Sequence, residues 1–166
     1  MPAFGSETME LTSHSVEQTL RLGQKLGELL KPGDLICLAG DLGAGKTALT
    51  RGIGAGWGAR EAVTSPTFTL IHEHRRPQDD QVLYHVDCYR LHGAEDAWNI
   101  GLDDLLAGSG PVVIEWPENV QEMLPEERLW IAITILDETS RQLSLTASGA
   151  RYRTLQNALR QQNLGG

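Results

Sequence analysis

Gly40-Asp41-Leu42-Gly43-Ala44-Gly45-Lys46-Thr47 follows directly on the apolar run Leu35-Ile36-Cys37-Leu38-Ala39. The octet is a complete G-x-x-x-x-G-K-[ST] loop, and the run before it reads as the buried strand that delivers it. Its glycines let successive backbone N–H groups turn onto phosphate oxygens. Lys46 reaches the β- and γ-phosphates, and the Thr47 hydroxyl ligates Mg²⁺. Lysine is scarce in this chain, with Lys25, Lys31 and Lys46 the only three, and one of them fills the diagnostic position. Strand and loop together predict a nucleoside-triphosphate site, with residues 46–57 as the helix that the loop opens. Gly52, Gly54, Gly56 and Gly58 read as the point where that helix frays into a turn.

Working outward, Thr12 or Ser13 reads as the cap of a helix over residues 15–30, with Val16, Leu20, Leu26 and Leu30 near one face and Lys31-Pro32-Gly33 as its stop. Residues 68–74 and 82–87 are β-rich runs joined by the polar stretch Arg75-Arg76-Pro77-Gln78-Asp79-Asp80-Gln81, which predicts an antiparallel hairpin. Residues 95–106 read as helix with a break near Gly101, and Pro111-Val112-Val113-Ile114-Glu115 as a buried parallel strand. A second hairpin spans residues 129–136 and 142–147 around Asp137-Glu138-Thr139-Ser140, and a terminal helix covers 150–162. This alternation predicts a three-layer α/β phosphate-loop domain formed by residues 1–166 as one unit, with a mainly parallel sheet carrying antiparallel hairpin additions. Ligands of such sheets lie beyond the carboxyl ends of the strands, so Asp87 and Glu115, both at predicted strand ends, should face the phosphates.

Composition sets bounds on partners. With 166 residues and 40% hydrophobic content the chain supports one well-cored domain. A formal charge of −8 and a pI near 5.0 argue against a broad nucleic-acid footprint, which needs a basic face to displace counterions. Cys37 and Cys88 lie in or at the end of apolar runs and read as small core residues rather than a disulfide or metal pair. No leader pattern opens the chain and no run approaches the ~20 apolar residues of a membrane span, so a soluble, cytoplasmic protein is expected.

A triphosphate-bound Mg²⁺ takes one or two protein oxygens, so the loop hydroxyl and one strand-end carboxylate suffice. Glu115, after Val112-Val113-Ile114, has the apolar-strand-then-acid pattern of a Walker B element and is the preferred metal ligand beside Thr47. Asp87, in His85-Val86-Asp87-Cys88-Tyr89-Arg90, is then the candidate to orient the attacking water or to stand behind the ligands of Mg²⁺, although spacing alone permits the two acids to exchange roles. Thr64-Ser65-Pro66-Thr67-Phe68-Thr69 is either a γ-phosphate-sensing loop or a Pro-containing turn. Trp116 either borders the nucleotide or packs beside its strand. His72-Glu73-His74 puts two imidazoles on one strand face, but no third ligand stands at metal spacing, and a zinc site is discounted in favour of an exposed hairpin. The chain has no Asn-Lys-x-Asp guanine-reading element, which favours ATP over GTP.

The phosphate loop, the element Ser65-Pro66-Thr67-Phe68, the run His85-Val86-Asp87-Cys88-Tyr89-Arg90 and the string Val113-Ile114-Glu115-Trp116-Pro117-Glu118 together resemble the bacterial TsaE (YjeE) ATPases, over about residues 12 to 160. The loop alone is shared by many NTPases, whereas H-x-D-x-Y-R combined with I-E-W-P is far more selective. The resemblance implies an ATP- and Mg²⁺-dependent ATPase that works with the TsaB–TsaD heterodimer to form threonylcarbamoyladenosine beside the tRNA anticodon. ATP binding and hydrolysis would reset that complex rather than perform the transfer, and tRNA would be met only indirectly, through the partners. Carried over, Gly43, Ala44, Gly45, Lys46, Thr47 and Ala48 wrap the phosphates, and Thr47 and Glu115 hold Mg²⁺. Lys46 and Asp87 serve hydrolysis, Ser65 and Thr67 lie near the γ-phosphate, and Trp116 and Glu118 border the nucleotide. Many relatives carry a second Thr where this chain has Ala48, which leaves the Mg²⁺ hydroxyl in place. Arg75 and Arg76 form the tightest basic pair and are candidates to touch partner or RNA.

The rival class is a small-molecule phosphate-loop kinase, which needs an arginine-rich lid over the transferring phosphoryl group. Here residues 115–127 carry Glu115, Glu118, Glu122, Glu126 and Glu127 and no Lys or Arg, a charge that repels ATP. A nucleotide-gated binding module with incidental hydrolysis is the other alternative. Arg51, Arg60 and Arg90 are weak candidates for an arginine finger in cis, so slow turnover by the chain alone is expected.

Overall fold

The structure is a computed structural model that describes residues 6–61 and 70–164. The segment containing Ser65 and Thr67 lies outside the described residues.

The apolar run before the phosphate loop forms strand β2, Leu35–Gly40, in which Leu35, Ile36, Cys37 and Leu38 are all buried. Burial on both faces requires cover from two layers, and a continuous apolar strand of this kind belongs inside a parallel sheet. The other strands are β1 (Ser6–Ser13), β3 (Ile71–Arg75), β4 (Val82–Asp87), β5 (Val112–Glu115), β6 (Arg128–Ile135) and β7 (Arg141–Ser148), in the spatial order β1-β7-β6-β2-β5-β4-β3. The central set β6-β2-β5-β4 is parallel throughout. The hairpins β3–β4 and β6–β7 pair antiparallel at either side, as expected, and β1 adds to β7 at the edge.

Helices α1 (Val16–Leu29), α2 (Lys46–Trp57) and α5 (Ala150–Leu164) cover one face, where Leu26, Leu49, Ile53, Leu155 and Leu159 pack on Ile36, Leu38, Val113 and Ile131. The opposite face is covered by α3 (Ala94–Asn99), α4 (Leu102–Ala107) and a 3₁₀ segment, Pro117–Met123, which bury Cys37, Val86, Val112 and Ile114. The predicted break between α3 and α4 is present, with Gly101 at φ 82°. Both cysteines are fully buried and free, and burial pushes each thiol up to about 12. No helix of the described residues is long and apolar enough to cross a membrane.

Three local expectations are corrected. Thr12 and Ser13 belong to β1, and the cap of α1 is Ser15, whose side chain accepts from the Gln18 amide at 3.1 Å while Gln18 Oε1 accepts from the His14 amide at 2.7 Å. Val16 is exposed, and the inward face of α1 is Thr19, Leu22, Gly23, Leu26 and Gly27. The third correction concerns the glycines after the loop: Gly52, Gly54 and Gly56 lie within regular helix, which ends only at Gly58, φ 100°. Gly52 meets Gly23 of α1, and Gly27 of α1 and Gly56 of α2 lie against the backbone of Ile53 and Gln24, so the two helices touch through backbone atoms along a seam. A Cβ on Gly23 would stand 2.5 Å from Leu49 O, and a Cβ on Gly27 or Gly56 would overlap the carbonyl oxygen of Ile53 or Gln24.

At the far end of β2, buried Asp34 accepts both arms of Arg151, Nε at 2.9 Å and a terminal nitrogen at 2.7 Å, as well as the Lys31 amide. Tyr152 Oη accepts from the Leu35 amide at 2.8 Å, so α5 is anchored where the central strand begins.

The seam gives a test with an unusual sign. In an ordinary helix Gly→Ala gains about 1 kcal/mol, whereas overpacking costs about 1–3 kcal/mol. Gly27→Ala and Gly56→Ala, where the overlap is closest, should each lower the midpoint of chemical denaturation, with a net destabilisation of up to about 2 kcal/mol once the propensity gain is subtracted. A gain in stability would show that the helices can separate at no cost.

Candidate nucleotide site

The site is built where β2 turns into α2. Gly43 at φ 80° and Gly45 at φ 114° adopt left-handed conformations open to glycine, and no atom would obstruct a Cβ at either position, so backbone geometry rather than space selects the residue. Such a turn aims amides inward only if its carbonyls are satisfied elsewhere. Here Arg141, at the start of β7, donates from Nε to Ala44 O at 2.9 Å and from a terminal nitrogen to Gly43 O at 3.5 Å, while its other terminal nitrogen is held by Asp137 O and Ser140 O.

Lys46 opens α2 and is 5% exposed. Its ammonium donates to Gly40 O and, at 3.3 Å, to Asp41 O, and lies 3.9 Å from the centroid of the Trp116 ring. Burial lowers its pKa, and the nearby charges of Glu115, Glu118 and Asp87 partly offset that shift. Trp116 has φ 58° and ψ 49°, a left-handed conformation that costs a bulky side chain energy and persists only where the surroundings impose it. Its amide donates to Leu38 O, Pro117 follows, and its ring packs on Tyr89 with centroids 5.0 Å apart.

Asp87 and Glu115 are register partners at the carboxyl ends of β4 and β5. Together with Gly43, Gly45, Lys46, Thr47, Tyr89 and Trp116 they line a cavity of about 300 Å³. Glu115 is 5% exposed, and its Oε2 accepts from His85 Nε2 at 2.5 Å. Asp87 is half-buried; burial raises its pKa, the Glu115 charge adds to that, and a hydrogen bond from the Tyr89 amide at 3.0 Å works against it. A larger cavity of about 390 Å³ beside Asp34 and Arg151 offers no comparable glycine turn or paired acids.

The structure thus brings together Gly43, Gly45, Lys46, Thr47, Asp87, Glu115 and Trp116. Ala44 is a buried residue of the loop, and Ala48 is the third residue of α2, outside the cavity lining. Glu118 stands exposed on the 3₁₀ segment, close enough for its charge to act on Lys46 but outside the lining. Arg51, Arg60 and Arg90 do not line the cavity. Arg76 is engaged locally, donating to both Asp79 oxygens and to Trp57 O and stacking 4.5 Å from the Trp57 ring centroid. Sequence reasoning missed Arg141, which lies 97 positions from the carbonyl it holds and gives no local signal. It also missed the His85–Glu115 bond, which β-strand parity could have revealed, since His85 and Asp87 share a face of β4.

The donor set fits both groups implied by the loop. Hydroxyl and carboxylate oxygens from Thr47, Asp87 and Glu115 suit a hard divalent cation, and the left-handed glycines with an ammonium at the helix entrance suit a polyphosphate.

Comparison with known proteins agrees with this geometry. The family model described as "Threonylcarbamoyl adenosine biosynthesis protein TsaE" matches residues 13–143. Among curated relatives, the tRNA threonylcarbamoyladenosine biosynthesis protein TsaE of Bacillus subtilis is 40% identical over 141 residues, covering 84% of this chain and 85% of the relative. The protein of the same name from Streptomyces coelicolor is 45% identical over 139 residues, covering 80% and 93%, and that of Treponema pallidum is 39% identical over 137 residues, covering 82% and 99%. The crystal structure of Bacillus subtilis YdiB superposes with a TM-score of 0.79 at 33% identity, covering 97% of this chain and 99% of the other. A central β-strand ending in a phosphate loop, paired strand-end acids facing it and this extent of similarity place the chain in the TsaE family.

Proposed function

We propose that the protein is an ATPase acting in formation of the threonylcarbamoyl modification of tRNA adenosine, in concert with a TsaB–TsaD pair. The observation that carries this reading is the convergence of Lys46, Thr47, Asp87 and Glu115 on one cavity at the carboxyl edge of the parallel strands. Thr47 and Glu115 are the residues that would hold Mg²⁺, which when bound neutralises charge on the β- and γ-phosphates. The loop amides bind and orient the phosphates, and the Lys46 ammonium compensates their charge. Asp87 accepts a hydrogen bond from the attacking water, and its burial favours a carboxylate basic enough to do so. The Trp116 ring and Tyr89 wall that side of the site from solvent.

Nothing among the described lining residues handles a threonylcarbamoyl group, and a net charge of −8 disfavours a broad tRNA footprint; both features favour a role in driving a partner complex. The lining contains no arginine to stabilise a transition state, so turnover by the chain alone is slow and rises on partner binding. The segment after β5 that a kinase would use as a basic lid is a 3₁₀ turn with exposed Glu118 and Glu122, which speaks against phosphoryl transfer to a small metabolite.

ADP release measured with and without TsaB–TsaD tests the reading; equal turnover in both sets would overturn the partner-driven cycle. Lys46→Ala should weaken ATP binding at least about tenfold, the loss of one charge-assisted hydrogen bond of roughly 1.5–3 kcal/mol. Glu115→Gln keeps an acceptor for His85 and should leave nucleotide affinity in calorimetry nearly unchanged while abolishing Mg²⁺-dependent turnover. Arg141→Ala, remote from the phosphates, should still weaken ATP binding by about tenfold, because the carbonyls it holds lose a charged donor; unaltered affinity would show that the loop keeps its shape without the guanidinium.

A further inference from the structure

The hairpin histidines acquire in the folded chain the third ligand that linear spacing did not supply. His72 and His74 stand two apart on β3 and project to one face, and the antiparallel register sets His72 opposite His85 on β4. One ring nitrogen from each of the three lies within 4.8 Å of the other two. The rings meet edge to face, with centroids 6.1 Å apart for His72 and His74 and 6.3 Å apart for His72 and His85.

His85 is the informative member. It is 1% exposed, and its Nε2 donates to Glu115 Oε2 at 2.5 Å. That bond calls for a proton on Nε2, so in the neutral ring Nδ1 is the nitrogen that carries the free lone pair. Nδ1 of His85 finds no hydrogen-bond partner among the described residues, and neither does the buried Nε2 of His74. Buried ring nitrogens without partners are costly and uncommon; two in one cluster, both within reach of a third imidazole, form a set of donors that needs an acceptor of electron pairs.

We propose that His72, His74 and His85 form a binding site for a divalent transition-metal ion of the zinc class, with Glu115 as the carboxylate that orients the ligating His85 ring. Three imidazoles with a fourth position open to water is an established zinc arrangement, with metal–nitrogen bonds of about 2.0–2.1 Å. Ligand nitrogens around such an ion stand roughly 3.4 Å apart, so modest side-chain rotations close the cluster. A carboxylate accepting the second N–H of a ligating histidine is the usual outer partner of such sites, and here the fold has it in place. Imidazole donors select zinc, copper, nickel or iron over magnesium, so this cluster and the oxygen-lined nucleotide cavity discriminate between ions while sharing the Glu115 side chain between them.

The test uses tag-free, full-length protein in excess Mg²⁺, titrated with Co²⁺ and followed by its visible absorption. The expected result is one equivalent bound with the intense bands of a tetrahedral site, displaced stoichiometrically by Zn²⁺. Losing an outer partner of a metal site costs roughly 10–100-fold in affinity, so the double variant His72→Gln, His74→Gln, which alters two incompletely buried side chains, should weaken binding by more than about 100-fold. No uptake, or equal affinity in the double variant, overturns the proposal. Imidazole ¹⁵N spectra of the unaltered protein give the answer without any substitution. Stoichiometric Zn²⁺ should move the nitrogens of all three rings while His85 Nε2 stays protonated, and a ring left unshifted counts against the site. Neither measurement involves nucleotide or turnover, so the outcome is independent of the ATPase reading.

Discussion

A backbone turn can gather several amides on one point only when the carbonyls alternating with them find other partners. In this protein that condition is met by two cations. Lys46 turns back on Gly40 O and Asp41 O, and Arg141 holds Gly43 O and Ala44 O from the start of β7. The rest of the site depends on this because every other functional group approaches a loop already held in shape. Leu38 O fixes the turn at Trp116, and the parallel register of β2, β5 and β4 brings the acids level with the loop.

The two acids illustrate how one fold gives similar groups different settings. Glu115 is almost wholly buried and held by a ring N–H, so its orientation is fixed before any ion arrives. Asp87 is less enclosed and, among the described residues, is bonded by the Tyr89 amide alone, and its raised pKa reflects burial beside a like charge. A rigid carboxylate suits ion binding and a more accessible one suits water, which is the ground on which we propose Glu115 rather than Asp87 for the metal.

What could be read from the chain was what its information stores locally. The octet 40–47, its strand and its helix are contiguous, and α2 begins and ends where loop and glycine dictate. Glu115 and Asp87 were legible because an apolar run followed by an acid marks a strand end. β1 was not, since SETMELTS offers only Met9 and Leu11 as apolar signals and owes its existence to pairing with β7, more than 120 residues on. The glycines of α2 were misread for a related reason: taken singly, glycine weakens a helix, whereas here tertiary contact with Gly23 and Gly27 outweighs propensity. Arg141 and the third histidine, His85, likewise reach their places through register between strands, whereas spacing along the chain records only the pair His72 and His74.

The bare seam between α1 and α2 has a mechanical consequence. Where two helices touch through backbone atoms there is no side-chain cushion to absorb a shift, so the pair responds as a single stiff strut. α2 starts at Lys46, the lysine of the phosphate loop, and α1 is joined by only His14 and Ser15 to β1 at the outer margin of the sheet. A displacement of α2 would therefore carry α1 with it rather than being taken up between the two helices.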